Sequence, residues 1–278
     1  MRGQIVKIIS DLHIVSCDES SYPCKCRGIF RKEHITPVVG DYVLFNKDKK
    51  LVEEVLPRKN QLQRPKVSNI DQAFIITSLV KPDFSLSLLD KLIVLMEINN
   101  VEPIICITKE DLLDGDRTDI YESIDYYKNL GYKVVYNYEL DKIKNLITNK
   151  TSVFTGQTGA GKSTLLNKLN PNWNLETGEI SDVLGRGKHT TRVVSLFPFL
   201  DGKVMDTPGF SALDFKGVSK EDIRKAFIEF ADYPCPFSDC THTKESECEV
   251  KKAVSANNIM RSRYVNYLKF IEEDINEG

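Results

Sequence analysis

The sequence has no apolar run long enough to cross a membrane, and its first residues lack the pattern of a signal peptide. We therefore expect a cytoplasmic protein that does not bind a membrane. It has little net charge, formally −2, so the whole chain lacks the basic excess typical of nucleic-acid-binding proteins. It has no internal repeat and no low-complexity segment, which argues against repeat architectures. Its 278 residues, 41% of them hydrophobic, suffice for one medium-sized domain and two small ones.

A glycine-rich segment at residues 156–164 has the pattern of a phosphate-binding loop. Residues 151–155, Thr-Ser-Val-Phe-Thr, predict a short buried strand before it, and the composition of 162–169 predicts a helix after it. The glycines would let the backbone turn sharply, so that successive N–H groups and the positive helix end face an anion. The alternative is a glycine turn without a ligand, but such turns rarely end in Gly-Lys-Ser. The residues predicted to bind nucleotide here are Gly156, Gln157, Thr158, Gly159, Ala160, Gly161, Lys162, Ser163 and Thr164.

Individual residues of this loop, and of a second motif at 206–209, have separate predicted roles. The Lys162 ammonium would reach the terminal phosphates and act in catalysis, the Ser163 hydroxyl would ligate magnesium, and Thr164 would lie near the first phosphate. In the second motif, Asp206 would hold magnesium through water and the N–H of Gly209 would face the third phosphate. Asp-x-Pro-Gly is also an ordinary turn sequence, so this assignment depends on its pairing with the phosphate loop.

The basic segment between these motifs, residues 185–192, has the pattern of a switch loop. One of its threonines, Thr191 in preference to Thr190, would ligate magnesium only when a third phosphate is present, and would order the loop in that state alone. The alternative is a basic surface loop without such a role. Its position between two nucleotide-binding motifs favours the switch.

Two segments resemble a guanine-reading motif. Residues 108–111 follow five apolar residues that predict a buried parallel strand, whereas residues 219–222 follow only loop and have the pattern of a capped helix start. We therefore assign nucleotide binding to Thr108, Lys109, Glu110 and Asp111. The Asp111 carboxylate would accept hydrogen bonds from the ring N–H and the exocyclic amine of guanine, which adenine does not offer in that arrangement. Lys109 would pack over the loops.

The order of these motifs is unusual. In ordinary GTPases the phosphate loop comes first and the guanine-reading motif comes last, whereas here Asp111 precedes Gly156. The inversion predicts a circularly permuted GTPase domain, in which the same site is assembled from a chain cut at a different place.

Three of the seven cysteines lie close to one histidine near the C-terminus. Their spacing, Cys-x4-Cys-x-His-x5-Cys, supplies four ligands suited to tetrahedral zinc with no open position. A reducing compartment also disfavours disulfides. The other cysteines have no such grouping, and Cys24 and Cys26 are predicted to be ordinary strand or core residues, a second metal site being the alternative. We predict one structural zinc ion per chain, bound by Cys235, Cys240, His242 and Cys248.

The patterns along the chain predict three domains, at 1–62, 63–213 and 214–278. Short alternating runs in the first predict an OB-like β-barrel. Positions 1–66 contain 13 basic and 8 acidic residues, and this basic excess favours an RNA-binding barrel. Aromatic residues are few, and an ordinary solvated surface is the alternative. The last domain is predicted to be helical, to hold the zinc ion, and to end in a helix from about 257 to 273.

The middle domain is predicted to be an α/β phosphate-loop domain with a mostly parallel sheet, because predicted strands alternate with helices. The predicted strands are 72–80, 103–108, 133–136, 151–155, 193–197 and 203–206, and the predicted helices are 87–99, 118–130 and 162–169.

The chain resembles one family over essentially its full length: the circularly permuted ribosome small-subunit biogenesis GTPases of bacteria, called ribosome small subunit-dependent GTPase A. The resemblance rests on the barrel, the inverted motif order, the segments 185–192 and 206–210, and the cysteine spacing. It implies a GTPase that uses magnesium, binds the small ribosomal subunit late in maturation, contacts its ribosomal RNA through the barrel and zinc domain, and is stimulated by the subunit. We also expect a monomer.

The resemblance raises a catalytic question. Phe210 stands where many GTPases have a glutamine that orients water, so another group must position the water. We hypothesise that His189 does so when the subunit orders the switch, the alternative being a surface histidine. Two residues depart from the family pattern: Thr108 replaces the common asparagine and should support the phosphate loop less, and Asn137 lies near the expected Ser-Ala contact to guanine O6.

Two other classes of function fit part of the pattern. A metabolic ATPase or small-molecule kinase would need the phosphate loop but not Asp111. A non-enzymatic zinc and RNA-binding adaptor would need the barrel and the zinc site, but not the set of Lys162, Ser163 and Asp206.

Overall fold

The structure is a computed structural model that describes residues 1–63, 65–115, 117–173, 175, 194–206, 215 and 217–273, with the backbone alone at residue 206. No helix within those ranges combines the length and the apolar character needed to span a bilayer.

The first five strands close into a barrel, because their alternating apolar residues share one interior. Three of these residues, Ile5, Val15 and Phe45, are fully buried. The strands pair in the order β1-β2-β3-β5-β4, and β4 pairs back with β1. The predicted OB-like barrel is confirmed, and one of its pairings, β3 with β5, is parallel. The elements are β1 (Arg2–Ile9), β2 (Leu12–Cys17), β3 (Ser20–Cys26), the one-turn helix α1 (Ile29–Lys32), β4 (Tyr42–Asn46) and β5 (Leu51–Val55).

The two cysteines of β3 are strand residues, as predicted. Cys24 is fully buried in the barrel core, and the Cys26 thiol lies 3.4 Å from His13 Nδ1. Burial raises the pKa of Cys26 to about 11, so its thiol stays protonated at neutral pH. Among the described residues, no third metal ligand joins this pair.

A short segment fastens the barrel to the next part of the chain. It contains the hairpin of β6 (Gln61–Gln63) and β7 (Lys66–Ser68). The fully buried carboxylate of Asp41, just before β4, accepts hydrogen bonds from Arg58 Nε at 2.7 Å and from Ser68 Oγ at 2.6 Å. A buried carboxylate requires such partners, so these bonds fix the hairpin against the barrel.

The central sheet forms from apolar runs that alternate with helices, since both faces of a parallel sheet must be covered. The strand order is β10-β9-β8-β11-β13-β12, and all the pairings are parallel except that of β12 with β13. The predicted mostly parallel α/β sheet is confirmed. Its strands are β8 (Gln72–Ser78), β9 (Glu102–Thr108), β10 (Lys133–Tyr136), β11 (Thr151–Gly156), β12 (Ser195–Phe199) and β13 (Gly202–Asp206).

Helices cover both faces of this sheet. Ile75 and Ile105 pack in the cluster that contains the buried residues of α2 and α3, whereas Phe74 and Ile104 pack with α4 and α5. Helix α4 was not predicted, although its apolar residues 140, 143, 146 and 147 recur at helical spacing. The helices are α2 (Leu86–Ile98), α3 (Thr118–Asn129), α4 (Leu140–Ile147) and α5 (Lys162–Leu169), and α5 is followed by a 3-10 turn at Pro171–Trp173.

The barrel and the central sheet are continuous. Strand β12 pairs antiparallel with β1 of the barrel, with Lys7 opposite Ser195. The Lys203 ammonium on β13 also donates to Gln4 Oε1 at 2.5 Å. One sheet of 11 strands therefore runs from the barrel through the α/β region.

The C-terminal region is helical. Two of its helices, α6 (Lys220–Ala226) and α8 (Arg261–Glu273), pack against α2. Ser219 Oγ accepts a hydrogen bond from the N–H of Asp222 at 3.1 Å, so residues 219–222 are a helix start, as predicted. The last helix begins at Arg261 and not near 257, because Asn257 has a left-handed backbone (φ 60) that ends the preceding helix. The elements are α6 (Lys220–Ala226), a 3-10 turn at Ile228–Asp232, α7 (Glu249–Ser255) and α8 (Arg261–Glu273).

A buried ionic cluster, which we call the Arg263 cluster, joins α8 to α2 and α3. The fully buried Arg263 donates to both carboxylate oxygens of Glu229, at 2.7 and 2.9 Å, and to Asp90 Oδ1 at 2.8 Å. Asp90 also accepts from the Tyr127 hydroxyl at 2.5 Å and from Asn266 Nδ2 at 2.6 Å. The two carboxylates outweigh the effect of desolvation and raise the pKa of Arg263 well above its usual value. Arg263 therefore stays charged at neutral pH.

Candidate nucleotide and metal sites

The phosphate loop follows β11 directly. Gly156 has φ 151, and a Cβ there would lie 2.3 Å from the carbonyl oxygen of Ile76, so only glycine fits. Gly161 has φ 96 and stands immediately before α5, whose first turn begins at Lys162. The strand, the glycine turn and the helix thus occur in the order that the motif requires.

Thr108 joins the two predicted nucleotide-binding segments. Its side chain is 1% exposed, and Oγ1 donates to the carbonyl oxygen of Ala160 at 2.6 Å. A Cβ at Gly161 would lie 3.9 Å from the same side chain. The sequence predicts weaker support of the phosphate loop from threonine than from asparagine. In the structure this support is a single buried hydrogen bond.

Lys109 lies over a third loop. Its backbone is left-handed (φ 58), and its ammonium donates to the carbonyl of Lys81, in the loop between β8 and α2. Pro82 of that loop lies 3.8 Å from the position that a Cβ of Gly159 would occupy. Lys109 therefore reaches the loop that borders the phosphate loop.

The predicted base-reading residues form a short turn at the end of β9. Glu110–Leu112 is a 3-10 helix, in which Asp111 is exposed. The N–H of Asn137, just after β10, donates to the carbonyl oxygen of Ile107 at 2.9 Å. Because β9 and β10 are parallel, the segment after β10 lies beside the Glu110–Leu112 turn.

Two tyrosines bind Glu110, and neither had a role predicted from the sequence. The Tyr121 hydroxyl donates to Oε1 at 3.0 Å, and the Tyr138 hydroxyl donates to Oε2 at 3.1 Å. Desolvation and the bond to Glu110 raise the pKa of both hydroxyls, so both remain donors at neutral pH. In the sequence, Tyr138 could have been noticed because it directly follows Asn137, which lies near the expected contact to guanine O6.

The described residues whose side chains are predicted to bind phosphate and magnesium lie in the first turn of α5 and at the end of β13. Lys162 and Ser163 are half-buried in the first turn of α5, and Thr164 is exposed. Strand β13 runs parallel to β11 with Asp206 opposite Phe154, so the backbone of Asp206 lies beside the start of the phosphate loop. The other predicted residues of this site lie outside the described residues: Gly209, Phe210, and the whole of 185–192 with His189, Thr190 and Thr191.

The structure brings the predicted zinc ligands together. The ligand atoms of Cys235, Cys240, His242 and Cys248 all lie within 4.8 Å of one another. The Sγ atoms of Cys235 and Cys248 are 3.7 Å apart, and His242 Nδ1 lies 3.5, 3.4 and 3.3 Å from the three sulfurs. Tetrahedral zinc, with bonds of about 2.3 Å to sulfur and about 2.0 Å to nitrogen, has edges of about 3.8 and 3.5 Å. The cluster can therefore hold a metal ion of this geometry.

The loop that bears these ligands is held by hydrogen bonds from two tyrosines of α8 and from Glu245 within the loop. The Tyr267 hydroxyl donates to the carbonyl of Thr241 at 2.6 Å, and the Tyr264 hydroxyl donates to that of His242 at 2.7 Å. Glu245 accepts from the N–H groups of Thr241 and Thr243 at 2.7 and 2.8 Å. Desolvation opposes ionisation of Glu245, but these bonds outweigh it and lower its pKa to about 2. These hydrogen bonds orient the ligand loop around the four candidate ligands.

A parallel sheet with a phosphate loop after one strand, and a Thr-Lys-Glu-Asp turn after an earlier one, defines a circularly permuted phosphate-loop GTPase. Comparison with known proteins gives the family. A family model described as RsgA GTPase matches residues 55–216, and one described as RsgA N-terminal domain matches residues 2–51. The chain belongs to the RsgA GTPase family, whose members are GTP hydrolases.

Individual relatives are similar over nearly their whole length. The chain is 46% identical to the small ribosomal subunit biogenesis GTPase RsgA of Enterococcus faecalis, over 98% of this chain and 95% of that one. It is also 46% identical to the protein of that name from Streptococcus pneumoniae, over 98% and 94%. Among solved structures, YjeQ from Thermotoga maritima is 35% identical with a TM-score of 0.84, covering 100% and 99%. YloQ, described as a circularly permuted GTPase, is 37% identical with a TM-score of 0.79, covering 100% and 96%.

Proposed function

We propose that this protein binds GTP with magnesium, hydrolyses it to GDP and phosphate, and acts in late maturation of the small (30S) ribosomal subunit. The subunit would stimulate hydrolysis, and the barrel and the zinc-binding region would contact its RNA. One observation carries the nucleotide part of this proposal. The phosphate loop and the Glu110–Leu112 turn lie at the carboxyl ends of strands in one parallel sheet, and the bond from Thr108 to Ala160 joins them.

Each part of the nucleotide has a proposed partner. Lys162 and the loop N–H groups would bind the phosphates, and Ser163 and Asp206 would hold magnesium, directly and through water respectively. Asp111 would bind the ring N–H and the amine of guanine. Magnesium would supply the charge that stabilises the phosphate oxygens during transfer, while these side chains would hold the nucleotide in position.

The metal in the C-terminal cluster is proposed to be zinc. A set of three thiolates and one imidazole at tetrahedral spacing suits zinc, and it has no open position for catalysis. The ion would be structural: it would hold the segment that contains Cys235 and Cys240 against α7, which begins just after Cys248.

The proposed partner is the small ribosomal subunit. Support comes from the relatives, which are named small ribosomal subunit biogenesis GTPases, and from the basic excess within positions 1–66. We propose the domains 1–62 for RNA binding, 63–213 for GTP hydrolysis and 214–278 for zinc binding and further RNA contact. We propose that the protein is a cytoplasmic monomer.

The test is steady-state GTP hydrolysis by the purified protein, with and without purified small ribosomal subunits. We expect slow turnover alone and a strong increase with subunits. Lys162→Ala should lose both rates, which assigns the turnover to this site. A wild-type rate that subunits leave unchanged would retain the GTPase but contradict the proposed partner.

His189 is proposed to position the attacking water when the subunit is bound. His189→Ala should abolish the stimulated rate and leave GTP binding unchanged. A variant with the full stimulated rate would exclude His189 from the mechanism.

A further inference from the structure

The base-reading turn of this protein is tied to two neighbouring elements through one side chain. One carboxylate oxygen of Glu110 accepts a hydrogen bond from the hydroxyl of Tyr121 on α3. The other accepts a hydrogen bond from the hydroxyl of Tyr138, which follows β10. We propose that Tyr121 and Tyr138 are positioning residues for guanine specificity, which hold Glu110 and thereby orient the adjacent Asp111 toward the base. This inference rests on the proposed function, in which Asp111 binds guanine.

The turn is anchored at its two ends, where the Lys109 ammonium binds a neighbouring loop and Leu113 packs against the core, but not in its middle. Asp111 is exposed and Leu112 is 50% exposed, so neither packs in the core. The backbone bonds of the turn, from Leu112 N–H to Lys109 and from Leu113 N–H to Glu110, are internal to it. A three-residue turn of this kind resists rotation only weakly. The Glu110 side chain provides the links from this turn to α3 and to the segment after β10.

Both tyrosines are themselves well placed to act as anchors. Tyr121 stands in the first turn of α3, which packs on the sheet through the buried Ile120 and Ile124. Tyr138 is 63% exposed, but its ring stacks on Tyr136 with centroids 5.4 Å apart and an angle of 21°. Because Tyr136 is the last residue of β10, the sheet fixes the stack.

The orientation of Tyr138 is further set by a tight turn after β10. The Tyr136 N–H donates to Glu139 Oε2 at 2.7 Å, and the Glu139 N–H donates to the Tyr136 carbonyl at 2.9 Å. Tyr138 lies within this closed turn. The bridge from Tyr121 through Glu110 to Tyr138 therefore links two rigid elements across the base-reading turn.

The bridge between the two tyrosines and Glu110 should affect the preference for guanine over hypoxanthine. A carboxylate that accepts from both the ring N–H and the exocyclic amine of guanine needs a fixed orientation. Hypoxanthine has the same ring N–H but lacks that amine, so its single hydrogen bond tolerates rotation of the carboxylate. Loosening the turn should therefore weaken GDP binding more than IDP binding.

The experiment is competition of GDP and of IDP against a fluorescent GDP analogue bound to the full-length protein. In Tyr121→Phe/Tyr138→Phe, which keeps both rings, GDP affinity should fall about threefold to tenfold, as expected for the loss of such hydrogen bonds. IDP affinity should fall less, so the GDP/IDP ratio should decrease. Glu110→Ala should give a similar ratio, and adding it to the double variant should change the ratio no further.

Tyr136→Phe is the matched control. It keeps the stacked ring, and its hydroxyl makes no hydrogen bond within the described ranges, so the GDP/IDP ratio should equal that of the wild type. Because the readout is a ratio, a variant with a reduced folded fraction still reports correctly. Additive losses from Glu110→Ala and the tyrosine changes would overturn the bridge, as would an unchanged ratio in the double variant.

Failure of the proposed function gives a different result. Asp111→Asn should lower guanine preference in an otherwise wild-type chain. If it does not, Asp111 does not read the base; if the wild type binds GDP and IDP equally, the exocyclic amine is not read. In either case the inference fails with the proposed base contact. If Asp111→Asn behaves as expected while the double tyrosine variant keeps the wild-type ratio, the positioning role alone is overturned.

Discussion

Removal of the buried guanidinium in the Arg263 cluster should be among the most destabilising single changes in the C-terminal region. Arg263→Met keeps an unbranched side chain of similar length but removes the charge and three hydrogen bonds. Glu229 would lose both of its bonds from Arg263, whereas Asp90 would keep those from Tyr127 and Asn266. The variant would therefore bury two carboxylates without a cation.

The size of the effect follows from burial. Arg263 and Asp90 are 0% exposed and Glu229 is 3% exposed, so water cannot replace the lost partner. Breaking a buried pair of this kind costs about 3–5 kcal/mol in the free energy of unfolding. At about 2–4 °C per kcal/mol for a chain of this size, the melting temperature should fall by about 6–20 °C.

The assay is thermal and urea unfolding of the full chain, followed by circular dichroism. Arg261→Met is the matched control: it lies on the same helix but is exposed, so it should change stability by less than about 0.5 kcal/mol. Adding Asp90→Asn and Glu229→Gln to Arg263→Met should recover part of the loss, because no buried charge then remains unpaired. A loss below about 1 kcal/mol in Arg263→Met, or no recovery in the triple variant, would refute the reasoning.

Three further changes test other features. Thr108→Val leaves the Ala160 carbonyl without its donor, so stability and GDP affinity should each fall by about 1–3 kcal/mol, while guanine stays preferred over adenine. Thermal melting and nucleotide competition measure these effects, and unchanged GDP binding would contradict the prediction. Gly156→Ala should abolish GDP binding because its Cβ would meet the Ile76 carbonyl, whereas Gly28→Ala, with open space around it, should bind normally in the same titration. Chelation should release one zinc ion per chain and lower the melting temperature, by elemental analysis and calorimetry; release of no zinc would contradict the assignment of the C-terminal cluster.

Local signals explain what could be predicted from the sequence. The glycine run at 156–161 and the ligand spacing 235–248 each lie within a short segment, so their geometry depends little on the rest of the chain. The parallel sheet could be predicted because each apolar strand and each helix has its own local pattern, and their alternation is typical of such a sheet. Support of the phosphate loop by Thr108 was expected from its motif, whereas its hydrogen-bond partner, the carbonyl of Ala160, was not.

Contacts between distant residues explain what could not be predicted. Nothing in the sequence distinguishes Arg263 from the other cations of α8, because its partner Asp90 lies 173 residues away. The contact of Tyr138 with Glu110 spans 28 residues and depends on the parallel pairing of β9 and β10. Similarly, Asp41 and Arg58 had no pattern that marked them as a joint. Such pairs become visible only when the topology is known.

The pairing of β1 with β12 bears on how the α/β region could be studied in isolation. Without the barrel, β12 would be an edge strand, with N–H and C=O groups open to another chain. Removing residues 1–62 would also uncover side chains that the barrel now shields. We therefore expect a truncated GTPase region to self-associate through that edge more readily than the full chain does.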